Sequence, residues 1–300
     1  MISHKQKKIL AFPYSCYDAL ICDGAVRSGK TSIMMWAFVR WAMENFSGQR
    51  FGVCGRTVDS CTKNIIVPFT AMSLAKERYI IRWRRGDKVM EVRRGAVTNY
   101  FEVFGGKDEA SYTLIQGRTL AGVLLDEAAL MPRSFVEQAV ARCSVAGSRL
   151  WFNCNPENPQ HWFYREWILR ARERRALYLH FTMEDNPALS PRIRARYRSA
   201  YSGVFYRRFV LGEWTAAQGR VYDFFDRDRD SAPVPEGDFQ EWRISVDYGT
   251  ANPASFGLWG RQGEIWYRVG EFYYDSRREG RQKTDAEYVR DLRELAEGRE

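Results

Sequence analysis

The sequence predicts an α/β fold, a mostly parallel sheet flanked by helices, followed by a smaller β-rich domain. Three observations carry this expectation. Short apolar runs alternate with longer mixed segments, as in sheets whose crossovers are helices. The first run, residues 19–22, leads straight into a glycine-rich loop and then a helical pattern. After the Pro/Gly-rich stretch SAPVPEG at 231–237, the texture changes to β-like runs joined by Gly-containing turns.

Residues 31–46 place Ile33, Trp36, Ala37, Arg40 and Trp41 at helical spacing. Residues 51–54 read as a second strand. Residues 83–106 hold two or three strands in hairpins, turned at Gly86-Asp87 and Gly95. Further strands are expected at 121–125, 149–154 and 177–182, then a very basic helix over 192–211. Beyond the break, 242–247, 255–259 and 264–274 read as strands and 284–295 as an amphipathic helix. The expected domains are therefore 1–215 and 241–300, with 216–240 as linker.

Composition narrows the function classes. No stretch approaches the roughly 20 uninterrupted apolar residues of a membrane helix, so no membrane partner is expected. Residues 1–8 are polar and basic, with no secretory signal pattern. The six cysteines show no C-x-x-C spacing, and only three histidines exist. A zinc site, a disulfide framework and a His-rich metal centre are all disfavoured. The formal net charge is +9. It is clustered: residues 161–210 hold eleven Arg against four acids, and 79–95 hold six Lys/Arg against two. Such clustering suits a partner with a phosphate backbone; a merely soluble basic surface is the alternative.

The octapeptide GAVRSGKT, residues 24–31, fits G-x-x-x-x-G-K-[ST] in full. It follows an apolar strand and opens a helix, as phosphate binding requires. Backbone N–H groups across Gly24, Ala25, Val26, Arg27, Ser28 and Gly29 can wrap the phosphates of ATP at the helix N-terminus. Lys30 would reach the β- and γ-phosphates, and Thr31 would hold Mg²⁺. About 100 residues on, the apolar run VLL ends in Asp126 and Glu127. Asp126 suits a second Mg²⁺ contact, and Glu127 suits a base that takes the proton of an attacking water.

These motifs, with others in order, resemble the large terminase subunit of tailed bacteriophages, of the PBSX-like kind. The resemblance rests on GAVRSGKT and on GRTLAGVLLDEA at 117–128. It also rests on WFNCNP at 151–156, DNP at 185–187, GEW at 212–214, GRVY at 219–222 and SVDYG at 245–249. It spans about residues 10 to 285. It implies an ASCE-type P-loop ATPase followed by an RNase H-like nuclease domain. It implies ATP-driven packaging of double-stranded viral DNA through the portal protein of a procapsid. A small terminase subunit, a homo-oligomeric ring and the host cytoplasm belong to the same picture.

Roles follow for single residues. Arg27 matches the family's loop arginine and would stabilise charge on the transferred phosphoryl group; a solvated loop arginine is the alternative. Asn155, favoured over Asn153, would sense the γ-phosphate, with strand capping as the alternative. Phe12, Pro13 and Tyr14 occupy an adenine-contacting position, or simply pack. Asp247 matches the first carboxylate of a nuclease site using Mg²⁺ or Mn²⁺, or is a turn residue before Gly249. Asp223 and Asp226 are expected at the surface, and Glu271 and Asp275, on or beside a neighbouring strand, are expected to be structural, with a part in the metal site as the alternative. The family's other metal-binding acids come later than Glu300, so the resemblance implies a C-terminally truncated, unstable and nuclease-inactive second domain. A helicase-like translocase and a non-hydrolysing nucleotide-binding module are the rival readings.

Overall fold

The computed structural model describes residues 2–215, 233, 235–250 and 252–296. The chain divides into two compact units, Met1–Asp223 and Phe224–Glu300. The GRVY landmark, Asp223 and Asp226 and most of the expected linker lie outside the described residues.

The first unit is built on one eight-stranded sheet, in the order β3-β4-β5-β2-β6-β7-β1-β8. Its strands are β1 (Ala19–Gly24), β2 (Arg50–Gly55), β3 (Ile80–Arg84), β4 (Val89–Arg94), β5 (Val97–Gly105), β6 (Gly122–Leu125), β7 (Arg149–Asn153) and β8 (Ala176–Phe181). From β5 to β8 every neighbouring pair is parallel. The hairpin strands β3 and β4 extend the sheet antiparallel at one edge. One strand, β7, separates β1 from β6, the order expected of an ASCE-type P-loop sheet.

All six residues of β1 are buried, as in a strand covered on both faces. One face carries the helix Lys30–Asn45 and an aromatic cluster of Phe38, Trp41, Phe51, Phe101 and Trp151. Gly122 lets the helix approach, because a Cβ there would sit 2.8 Å from the Trp41 ring. The other face is closed by Phe135, Phe152, Phe163 and Trp167.

One expected helix is interrupted. Residues 192–211 form the helix Pro191–Ala200, an extended break at Tyr201, a short turn Gly203–Tyr206 and a π-helical turn Arg207–Leu211. Gly203 at φ +53 restarts the chain in a direction that a continuous helix does not permit.

The second unit contains β9 (Glu241–Asp247), β10 (Ala254–Gln262) and β11 (Ile265–Tyr274), antiparallel in the order β11-β10-β9. The helix Asp285–Ala296 closes one face by setting Tyr288 against Phe256, Phe272 and Tyr274. Asp275 caps the short helix Ser276–Glu279, and Glu271 pairs with Arg268, so both acids serve local structure.

Candidate functional site

The six parallel strands end at the same side of the sheet, where open α/β sheets bind ligands. β1 runs into the loop beginning at Gly24. That residue has φ +123, and a Cβ on it would lie 1.9 Å from the Phe181 carbonyl oxygen. Only glycine fits there. The Ala25 N–H donates to Phe181 O at 2.8 Å, and the Val26 N–H donates to Phe209 O at 3.2 Å. These two amides hold the loop from behind, which leaves anion binding to the amides that follow. Arg27 (φ +58) and Gly29 (φ +80) adopt left-handed conformations that turn the loop into a concavity. The Asn186 side-chain amide donates to Arg27 O at 2.7 Å and fixes that turn from β8's end. The helix Lys30–Asn45 then starts with no side-chain cap, so its first N–H groups remain free for an anion.

Lys30 is buried inside this concavity. Its Nζ donates to Gly24 O (3.0 Å), Ala25 O (2.8 Å), Ser28 Oγ (3.2 Å) and Asn155 Oδ1 (3.3 Å). Burial lowers its pKa, while the nearby Asp23 and Asp126 carboxylates favour the charged form. An ammonium held only by neutral oxygens beside free amides is a ready partner for phosphate.

From β6, Asp126 meets Thr31 Oγ1 at 3.4 Å. From β7, the Asn153 amide donates to Thr31 Oγ1 at 2.9 Å and also to Asp126 Oδ1. Burial pushes the Asp126 carboxyl up to about 6, with the Asn153 hydrogen bond opposing. Asn153 Oδ1 is itself buried without a partner among the described residues. This donor set fits Mg²⁺, which is held by one or two protein oxygens together with substrate phosphates. A cation there would relieve the burial of the Asp126 charge.

Glu127 follows in a left-handed conformation (φ +58, ψ +41), which turns the chain sharply away from β6. Backbone strain of this kind in a non-glycine residue concentrates at functional sites. Arg27, Ser28, Lys30, Thr31, Asp126, Glu127, Asn153 and Asn155 all line one cleft of about 460 Å³. Of these eight, Arg27 and Asn155 are exposed. The structure thus brings the expected motor residues together. Asp247 lies apart from them in sequence and unit, exposed near the end of β9.

Sequence reasoning missed several contributors. Lys63, Asn64 and Pro68 close the cleft from the segment after β2, and Asn186 closes it from the far side. None belongs to a spacing that announces a phosphate site, although DNP at 185–187 marked Asn186 as a landmark. Asn153 is bonded to the Thr31–Asp126 pair, whereas Asn155 touches Lys30. Packing is the observed role of Phe12 and Pro13. Phe12 is fully buried edge-on to Trp151, and only Tyr14 is exposed, bonded to Glu44 and Arg40.

The basic cluster is also more self-contained than its composition suggests. Arg170, Arg175, Arg194, Arg198 and Arg207 pair with acids of this chain. Arg208 is buried against Pro156 O and Glu157. Arg192 and Arg196, one turn apart on an exposed helix, have no acidic partner among the described residues.

No helix among the described residues is long and apolar enough to cross a membrane. No curated protein matches the chain significantly. Among solved structures, the chain is similar over its whole length to the large terminase of a thermophilic bacteriophage. The two share 47% identity and a TM-score of 0.71, with 75% of that chain covered. The same phage protein in complex with ADP aligns at 45% identity and a TM-score of 0.70, with 100% of this chain and 75% of that chain covered. Its complex with ATP-gamma-S aligns at 44% identity and 0.69, with the same coverage. The ATPase domain of the Thermus phage P74-26 large terminase shares the fold at 19% identity and a TM-score of 0.55, covering 72% of this chain and 94% of that one. The family model described as terminase large subunit, T4likevirus-type, N-terminal, matches residues 21–229. With that match across more than half its length, the chain belongs to the phage terminase large subunits.

Proposed function

We propose that this chain binds and hydrolyses ATP in the cleft above β1, β6 and β7, and that hydrolysis drives double-stranded viral DNA into a procapsid. The observation that carries the reading is the convergence of Lys30, Thr31, Asp126, Glu127, Asn153 and Asn155 on one cleft from three strand ends. The relatives solved with ADP and ATP-gamma-S support a nucleotide as the occupant.

In this reading the loop amides and Lys30 grip the β- and γ-phosphates. Mg²⁺, held by Thr31 and Asp126, would neutralise charge on the phosphates. Glu127 takes a proton from the attacking water. Arg27, exposed at the rim, meets charge on the γ-phosphoryl group. Asn155, tied to Lys30 by a 3.3 Å hydrogen bond, registers the loss of that group. The basic surface then moves against DNA phosphates, largely without regard to base sequence. Assembly as a homo-oligomeric ring on the portal protein, with a small terminase subunit, in the host cytoplasm, completes the proposal.

Asp247 is proposed as a metal carboxylate of a nuclease site in the second unit. Among the described residues no group of three His, Cys, Asp or Glu is placed to hold a metal ion.

The test is steady-state ATPase activity of the wild type, Lys30→Ala and Glu127→Gln, with and without linear DNA. A general base contributes roughly 10²- to 10⁴-fold, and Glu127→Gln is expected to lose that much while still binding nucleotide. Equal, near-zero rates in wild type and Glu127→Gln would favour a non-hydrolysing module. Stimulation by procapsids, rather than strand separation of a duplex, distinguishes a packaging motor from a helicase.

A further inference from the structure

Immediately before the phosphate loop, Asp23 is completely buried at the end of β1. A buried carboxylate is costly unless its oxygens are bonded, and both of these are. Oδ2 accepts from the Trp214 indole N–H at 2.6 Å, and Oδ1 faces His180 Nδ1 at 3.0 Å. The other ring nitrogen of His180, Nε2, faces Leu211 O at 3.2 Å. An imidazole between two acceptors donates to both only when doubly protonated. The Asp23 hydrogen bond accordingly raises the His180 pKa, against the opposing effect of burial. Lys5, Lys30, Tyr178, Cys22 and Cys154 are the other titratable groups around the pair.

The same segment touches the phosphate loop at two further points and the Asn155 loop at a third. Gly212, at φ +76, packs so closely that a Cβ would lie 2.4 Å from Ala25 N and 2.7 Å from Gly24 Cα. Phe209 O accepts the Val26 N–H. Arg208 donates to Pro156 O from Nε (3.0 Å) and Nη2 (2.9 Å) and pairs with Glu157 at 2.6 Å. One stretch, residues 208–214, therefore braces the phosphate loop on one side and the Asn155 loop on the other.

We propose that Asp23 is a positioning residue for nucleotide binding, which holds the phosphate loop in register by tying β1 to Trp214 and, through His180, to Leu211. It touches no phosphate. It sets where Gly24 and the amides after it stand relative to the Asn155 loop. The inference rests on the cleft being a nucleotide site.

The experiment measures the KM for ATP and the Kd of a fluorescent ADP analogue for wild type, Asp23→Asn, Trp214→Phe and the double variant. Trp214→Phe removes the indole N–H but keeps a ring to stack on Tyr164, 4.8 Å away, so it tests the tie even if Asp23→Asn folds poorly. Each single variant is expected to raise KM and Kd about tenfold, as for loss of one hydrogen bond to a buried charge. Because both cut the same tie, the double variant is expected to be no weaker than the weaker single one. A merely structural role would lower the folded fraction and the apparent kcat while leaving KM and Kd unchanged; that result overturns the proposal. So do penalties that add in the double variant. Wild type that binds no analogue at all would instead refute the nucleotide site itself.

Discussion

Replacing Gly24 with alanine tests whether the phosphate loop depends on its contact with β8. The new Cβ would lie 1.9 Å from Phe181 O and 2.7 Å from Phe181 C and N, whereas ordinary contact begins at 3.4 Å. No flexible side chain can yield, because every clashing atom is backbone. The φ of +123 adds strain on the order of 1–3 kcal/mol for a residue with a Cβ. Relief requires β1 and β8 to part at the Gly24↔Phe181 pair, where the Ala25 N–H donates to Phe181 O at 2.8 Å. Losing one or two such hydrogen bonds costs about 1 kcal/mol each. The sum is on the order of 4 kcal/mol, a large share of the roughly 5–15 kcal/mol that stabilises a domain. Gly117→Ala is the control: it has φ +76 but nothing within 4 Å of its Cβ, and about 1 kcal/mol is expected. Urea denaturation followed by circular dichroism, with ADP-analogue titration alongside, compares the two. Gly24→Ala within about 1 kcal/mol of Gly117→Ala, with binding intact, would refute the reasoning.

Two further outcomes are expected. His180 has a raised pKa in the folded state, so its contribution is full below the unfolded value of about 6.5 and is lost as pH rises through the folded value. The difference in thermal midpoint between wild type and His180→Gln should therefore be largest at mildly acid pH and shrink in alkali; a gap that widens with pH would contradict the assigned charge state. Arg192→Gln/Arg196→Gln should weaken DNA stimulation of the ATPase and reduce its log–log salt slope by roughly one per lost phosphate contact. The self-paired Arg170→Gln should do neither, and an unchanged slope in the double variant would place the DNA surface elsewhere.

Much of this molecule was legible from its chain. The strand–loop–helix around residues 24–31 is a local pattern, since apolar periodicity and glycines act over a few residues. The hairpins at 83–106 announced themselves through Gly86 and Gly95, and β3, β4 and β5 lie where those turns imply. The broken helix after Ala200 was less legible, because the arginines at 192–198 and 207–208 read as one basic helix although Ser202 and Gly203, poor helix formers, stand between them. Propensity is local and weak, and the bracing of residues 208–214 against two loops overrides it.

The sequence by itself determined the chemistry: an amine at Lys30, a hydroxyl at Thr31, carboxylates at Asp126 and Glu127, and the glycines that let backbone approach phosphate. Tertiary structure alone decided which of them meet, and what stands behind them. Asn153 rather than Asn155 bonds the Thr31–Asp126 pair because Asn153 is the buried last residue of β7, whereas Asn155 lies two residues beyond the strand, exposed and bonded to Lys30. Phe12 packs beneath Trp151, and six of the ten arginines at 170–208 pair with acids that the fold places beside them. Asp23 becomes a brace only because Trp214 arrives from 191 residues away. Motifs record spacing along the chain, whereas pairing between distant residues is set by strand order and by the burial of charge.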